Sequence, residues 1–174
     1  MYENSIDFIL NRQSCRDYKP DPLKEGDLQQ LMEALRRAPS AGNCQPWYFY
    51  VVISKARKKE LIQAAYGQSF IADAPVVFVI CADADESAQS YGQRGKTLYC
   101  LQDTAAATEN LLLAATVLGY GSCWIGAFDE AAASKALRIP KSLRPVAMVP
   151  VGYARSKESR TGRKPTKDIF EFVE

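Results

Sequence analysis

The chain reads as a protein of the α+β or mixed α/β class, a sheet sandwiched between helices, and three observations carry that reading. Short runs rich in aromatic and β-branched residues, Trp47 to Ile53, Val76 to Ala82 and Pro145 to Tyr153, alternate with segments whose apolar residues recur at helical spacing. The run Val76 to Ala82 contains no polar residue, as a strand covered on both faces requires. Neither an internal repeat nor a long linker divides the 174 residues, so a single domain over 1–174 is expected.

Taken in order, Ser5 to Arg12 predicts a short helix with apolar Ile6, Phe8, Ile9 and Leu10. Asp27 stands where a cap belongs for a second helix through Arg37, with Leu28, Leu31, Met32 and Leu35 on one face and Pro39 beyond its end. Trp47 to Ile53 follows as a strand expected to be buried. Lys55 to Tyr66 is an amphipathic helix closing near Gly67, and Ser87 to Lys96, with Gly92 and Gly95, reads as a polar, mobile connection. Leu98 to Leu118 is the longest helical pattern, with Asp103 and Glu109 as its only charges. Such a helix should be buried almost all round, centrally or against a second subunit, and Gly119 is its expected stop. Ser122 to Phe128 is extended, Asp129 caps a short helix through Leu137, and the last strand runs to Tyr153.

Composition narrows the function. The chain has no histidine, which removes Ser-His-Asp and Cys-His catalysis and most zinc and non-haem iron sites. No metal site is expected, and difficult chemistry would belong to an organic cofactor. The five cysteines, Cys15, Cys44, Cys81, Cys100 and Cys123, are widely spaced and without a Cys-x-x-Cys pair; they read as reduced and mostly buried, with Cys44 in a polar loop the one to examine for reactivity. Glu3, Asp7 and Arg12 interrupt any signal-peptide core. Asn110 to Phe128 is uncharged, but Gly119 to Ser122 cuts it as a membrane span. A cytoplasmic chain with no membrane partner is expected. Net charge is +2, yet Arg155 to Lys167 holds six basic residues and one acid, which suggests a local anionic partner rather than nucleic acid.

Four stretches carry candidate chemistry. "NRQSCRDY" brings Arg12, Ser14 and Arg16 together after a helix, and "RTGRKPTK" concentrates Arg160, Arg163, Lys164 and Lys167. Guanidinium forks and hydroxyls suit phosphate, although in isolation either stretch reads first as solvated basic surface. "GYGSCWIGAF" lacks a G-x-G-x-x-G fingerprint, because Trp124 replaces the third glycine, and it follows a helix. Its glycines allow a flat ligand to approach the backbone, or simply a tight turn into a core strand. "APSAGNCQPWYFYVV" places Pro39, Ser40, Asn43 and Gln45 directly before a strand, more hydrogen-bonding groups than a turn needs.

These four motifs, with "VPVGYA" before the basic "GRKP", resemble in their order the FMN-dependent nitroreductase family over nearly the whole chain. The resemblance implies a mixed, mainly antiparallel sheet sandwiched by helices around a long buried central helix. It implies a homodimer with two FMN sites at the subunit interface. It further implies hydride transfer from NAD(P)H to FMN and on to a small-molecule acceptor such as a nitro compound or quinone, in a ping-pong cycle with no catalytic side chain. By the same resemblance Arg12, Ser14 and Arg16 would hold the FMN phosphate and ribityl chain, with Arg163 and Lys164 reaching the phosphate. Pro39, Ser40 and Asn43 would meet the flavin from the partner subunit. Gln68 would touch the isoalloxazine edge, and the backbone N–H groups of Gly126 and Ala127 would face the ring with Trp124 and Ile125 nearby. A specialised member (dehydrogenase, dehalogenase or flavin-modifying enzyme) and a non-enzymatic flavin-binding module are the alternatives. Several relatives carry an acid where this chain has Gly126, and the Ser87 to Lys96 connection is short where larger members build their substrate pocket.

Overall fold

The computed structural model describes residues 6–156 and 161–173; Glu3, Ser5, Lys157, Glu158 and Arg160, which the readings above include, lie outside the described residues. Four strands, β1 (Trp47–Val52), β2 (Val76–Asp83), β3 (Gly121–Ser122) and β4 (Leu143–Gly152), form one sheet in the order β1-β2-β4-β3, every neighbouring pair antiparallel. An isolated parallel bridge joins Ser14 to Ser122.

The alternation of β2 divides the interior in two. Val77, Val79 and Cys81 point into a core shared with Leu61 and Ala64 of α3 (Lys55–Ala64) and Ala133 and Ala136 of α6 (Glu130–Leu137). Val76, Phe78 and Ile80 point the other way, onto Leu31 and Leu35 of α2 (Asp27–Arg36) and Ala107, Leu111 and Ala115 of α5 (Cys100–Val117). Each strand residue thus serves one of two helical layers, as its period of two demands. All five cysteines are free thiols; four are buried and Cys44 is half-buried. Burial pushes the Cys81 thiol up to about 12, which leaves it an inert apolar group. On α5 only Gln102 and Val117 are exposed. Gly119, at φ 82°, ends its last turn in the left-handed region that glycine favours. Among the described residues no helix is long and apolar enough to cross a membrane.

Three expectations are corrected. Asp27 does not cap α2: Gly26, at φ 84°, takes that position, and the buried Asp27 carboxylate accepts a 2.6 Å hydrogen bond from Tyr120 Oη. Burial, together with this bond, raises the Tyr120 hydroxyl's pKa. Second, β1 is only partly buried, with Tyr48 55% exposed, because it is an edge strand with β2 as its sole neighbour in the sheet. Third, Ser87 to Lys96 is helical, with a break at Gly92 (φ 54°), rather than a connection. Asp83 Oδ1 accepts from the Glu86 N–H at 3.0 Å and caps α4 (Ala84–Arg94), which continues through a π-turn (Gly95–Tyr99) into α5. The run is polar because it lies on the surface, so it carries no apolar periodicity to announce a helix.

Lys96 Nζ meets Asp85 Oδ1 at 2.7 Å and ties the π-turn back to the start of α4. A Cβ at Gly95 would collide with the Ser87 carbonyl oxygen, a backbone contact that cannot swing aside. Gly95→Ala is therefore expected to destabilise the fold by about 1–3 kcal/mol, read as a lower midpoint in a thermal or urea melt.

Candidate functional site

The N-terminal segment is stitched to the sheet as an added extended chain. Cys15 N–H donates to the Ser122 carbonyl at 2.8 Å and Lys19 N–H to the Tyr153 carbonyl at 2.8 Å. A Cβ on Gly121 would come within 2.7 Å of Cys15 Sγ, so glycine is what allows the two chains to touch. α1 (Asp7–Asn11) ends at Arg12, whose Nε lies 3.8 Å from Glu109 Oε1 on α5. Burial raises the Glu109 carboxyl against the lowering effect of that guanidinium. Ser14 is half-buried and Arg16 exposed. Ser14 lines a cavity of about 210 Å³ with Asn11, Gln13, Gly121 and Ser156, where Gln13 Oε1 is buried without a partner among the described residues.

The basic segment begins on the same edge. Arg155 Nε donates to Asp17 Oδ1 at 3.0 Å, its Nη2 to the Tyr18 carbonyl at 2.9 Å, and Ser156 Oγ to Asp17 Oδ2 at 3.1 Å. Arg163 and Lys164 are exposed, and Arg163 donates to neighbouring Thr161 and Gly162. Among the described residues neither bonds to Arg12 or Ser14.

Beyond β3 the chain leaves the sheet and returns once, where Ile125 and Met148 exchange backbone hydrogen bonds of 2.9 and 3.0 Å. That single bridge holds the next two residues at the surface. Gly126 and Ala127 are exposed, and their N–H groups donate to nothing among the described residues. Gln68, just past α3, reaches them: its Nε2 donates to the Ala65 carbonyl at 3.1 Å and to the Ala127 carbonyl at 3.3 Å. Trp124, 39% exposed, closes a cavity of about 190 Å³ against Leu101, Thr104, Ala105 and Thr108 of α5.

The loop between α2 and β1 is held in an uncommon shape. Gly42, Asn43 and Gln45 have φ of 54°, 56° and 51°, in the left-handed region that Gly and Asn visit readily and Gln does not. Ser40 Oγ accepts the Gln45 N–H at 3.0 Å, and its carbonyl accepts the Asn43 N–H at 3.0 Å. From outside, Asp103 Oδ1 accepts the Ala41 N–H at 3.1 Å and the Tyr91 hydroxyl end packs on Gly42. Pro39 and Asn43 stand exposed and Ser40 half-buried. Asp103, Glu109, Tyr91 and Arg155 are contributors the sequence reading did not single out; the first two were visible as the only charges on the long helix.

Glu109 follows Asp103 by six positions, which places it about 9 Å along α5 and about 240° around its axis. The Arg12 segment and the Pro39–Asn43 loop therefore approach α5 from different flanks. The Trp124 cavity lies on the side remote from the loop. Ser14 thus meets Ser122, Gln68 meets Ala127, and the Pro39–Asn43 loop meets Asp103.

The sequence model of the Nitroreductase family matches residues 9–68 and 58–153. The chain belongs to the nitroreductase family. An NADH dehydrogenase of Thermus thermophilus is 30% identical to this nitroreductase-family chain over 187 residues, covering 92% of this chain and 91% of that protein. An FMN reductase [NAD(P)H] of Bacillus subtilis is 28% identical over 177 residues, 94% of this chain and 71% of its own. The crystal structure of a nitroreductase family protein from Streptococcus pneumoniae superposes with a TM-score of 0.86 at 26% identity, covering 98% of this chain and all of that one.

Asp103 supplies a test of how the loop is held. Its Oδ2 is buried with no partner among the described residues, and burial raises the carboxyl above its ordinary value. An acid raised in this way favours folding most below its ordinary pKa and loses that contribution as pH climbs through the folded-state value. Asp103→Asn keeps an oxygen for Ala41 and removes the charge, so its stability should fall less than wild type between mildly acidic and neutral pH. Asp103→Ala strands the Ala41 N–H and is expected to cost about 1–3 kcal/mol throughout. Urea melts of the three proteins across that pH range compare the two effects.

Proposed function

We propose that the chain is an FMN-dependent NAD(P)H oxidoreductase that reduces nitro compounds, quinones or similar electron-poor acceptors. The observation that carries this reading is the pair of free, exposed N–H groups at Gly126 and Ala127, placed beside Gln68 and Trp124. Backbone donors with no partner among the described residues suit the heteroatom edge of an isoalloxazine ring, and Gly126 leaves open the space a side chain would take, with Trp124 Nε1 3.9 Å from a Cβ built there. Arg12, Ser14 and Arg16 would offer two guanidinium groups and a hydroxyl for a phosphate. The donor set fits FMN, and relatives named as an FMN reductase and an NADH dehydrogenase support the same chemistry.

Bound FMN would supply the hydride acceptance from NAD(P)H and its redelivery to the acceptor. The residues bind and orient. Gly126 and Ala127 would fix the ring by hydrogen bonds that need no reorganisation. Gln68, already bonded to the Ala127 carbonyl, stiffens the strip that carries them. Arg12 is held near Glu109 beyond hydrogen-bond length, so its N–H donors stay free for phosphate. In this reading Arg163 and Lys164 add charge to the phosphate once the exposed C-terminal segment is packed.

The homodimer is part of the proposal. The Pro39–Asn43 loop and the Arg12 segment flank α5 on different sides, so a second copy is needed to bring Pro39, Ser40 and Asn43 to a flavin held by the first. Exposed Phe172 and Val173, 95% and 92% accessible, are apolar surface that such a copy would cover. Five free thiols suit a reducing, cytoplasmic setting.

The test is a visible spectrum of FMN-loaded protein freed of excess ligand and followed without oxygen as NADPH or NADH is added. Bleaching, then recovery with a nitroaromatic or quinone, is expected. Retained flavin that neither nicotinamide bleaches would make the chain a flavin-binding module. Arg12→Ala is expected to weaken FMN binding about tenfold or more, the effect of losing a charge-assisted hydrogen bond, measured by flavin fluorescence titration. Sedimentation should give twice the 19.3 kDa chain mass.

A further inference from the structure

Several arginines of the chain are paired with acids. Arg12, Arg36, Arg37, Arg57, Arg144 and Arg155 each lie beside a carboxylate. Arg94 has no carboxylate partner among the described residues: its Nε donates to Tyr99 Oη at 2.8 Å, with the guanidinium carbon 5.2 Å from the ring centre. The nearby acids are engaged elsewhere, Asp85 with Lys96 and Glu86 with Gln89. Among the described residues Arg94 thus has no ion pair, and its two terminal nitrogens make no hydrogen bond. A guanidinium fixed at Nε keeps a two-pronged fork at reduced entropic cost, the arrangement that suits phosphate oxygens.

The local backbone exists to make this contact. Arg94 and Tyr99 are five positions apart, about 140° around an α-helix and unable to meet there. The π-turn over Gly95–Tyr99 brings them together, and such turns recur at functional sites. Tyr99 in turn meets Tyr91 edge-on, centroids 5.1 Å apart at 80°, and Tyr91 packs on Gly42. A chain of contacts therefore runs from the free guanidinium to the loop that presents Ser40 and Asn43.

Building on the FMN reading above, we propose that Arg94, set by Tyr99 and the π-turn and linked through Tyr91 to the Pro39–Asn43 loop, binds the phosphate oxygens of NAD(P)H. The nicotinamide must reach the flavin while the anionic remainder of the dinucleotide lies outward along the protein, and Arg94 is an exposed cation without a carboxylate partner among the described residues.

The experiment is anaerobic stopped-flow reduction of the FMN-loaded protein by NADPH, by NADH and by 1-benzyl-1,4-dihydronicotinamide, which has no phosphate. For Arg94→Gln the half-saturating concentration of the dinucleotides is expected to rise about tenfold, with the limiting rate unchanged and the benzyl donor unaffected. Arg94→Lys should recover part of the loss, and the wild-type advantage should shrink as salt is raised. A rise for both dinucleotides assigns the contact to the shared diphosphate; a rise for NADPH alone assigns it to the 2′-phosphate. Unchanged half-saturation for both, or an equal change with the benzyl donor, overturns the proposal. A wild-type protein that holds FMN yet is reduced by none of the three donors overturns the oxidoreductase reading itself.

Discussion

The burial of β2 on both faces is the constraint from which the rest of the architecture follows. Every residue from Val76 to Ala82 is buried, and a strand cannot be dry on both sides unless a helical layer covers each. α3 and α6 supply one layer, α2 and α5 the other. With two layers in place, and with β3 joined at Ser122 by the N-terminal segment, the strip after β3 is an exposed margin that the bridge at Ile125 ties back to the sheet.

α5 is both a wall of the core and the reference on which the candidate site is laid out. Glu109 faces Arg12, Asp103 holds Ala41, and Asn110 Nδ2 donates to the Ala34 carbonyl at 3.1 Å at the end of α2. A rigid helix presents these residues at fixed angles, so the two halves of the site are separated by helix geometry. The loop held by Asp103 and the Arg12 beside Glu109 thus lie on different flanks of α5.

The misread segments share a cause. Periodicity reports which face of an element meets the core, so an element that meets the core weakly is hard to read. Ala84 to Tyr99 touches the body of the protein through few buried positions, Ser87 and Gly95 among them, and its polar surface looks like a loop. Asp27 has the residue type of a cap, yet Gly26 enters the helix in a left-handed conformation and frees the carboxylate to take the Tyr120 hydroxyl from 93 positions away. The apolar run of β1 gave no sign that one side of the strand would lack a neighbour.

By itself the sequence determined most of the elements, the core alternation of β2, the stop at Gly119 and the family, because these depend on local pattern and on motifs kept in order along the chain. It also gave the residue types suited to phosphate and flavin. Only the tertiary structure decided which of those residues meet. Gln68 joins Ala127, and Ser14 joins Ser122, through contacts spanning 59 positions in the first case. Arg94 meets Tyr99 only because the backbone widens into a π-turn. Such contacts arise from how helices pack on a buried sheet, and no stretch of sequence records the angle at which they do so.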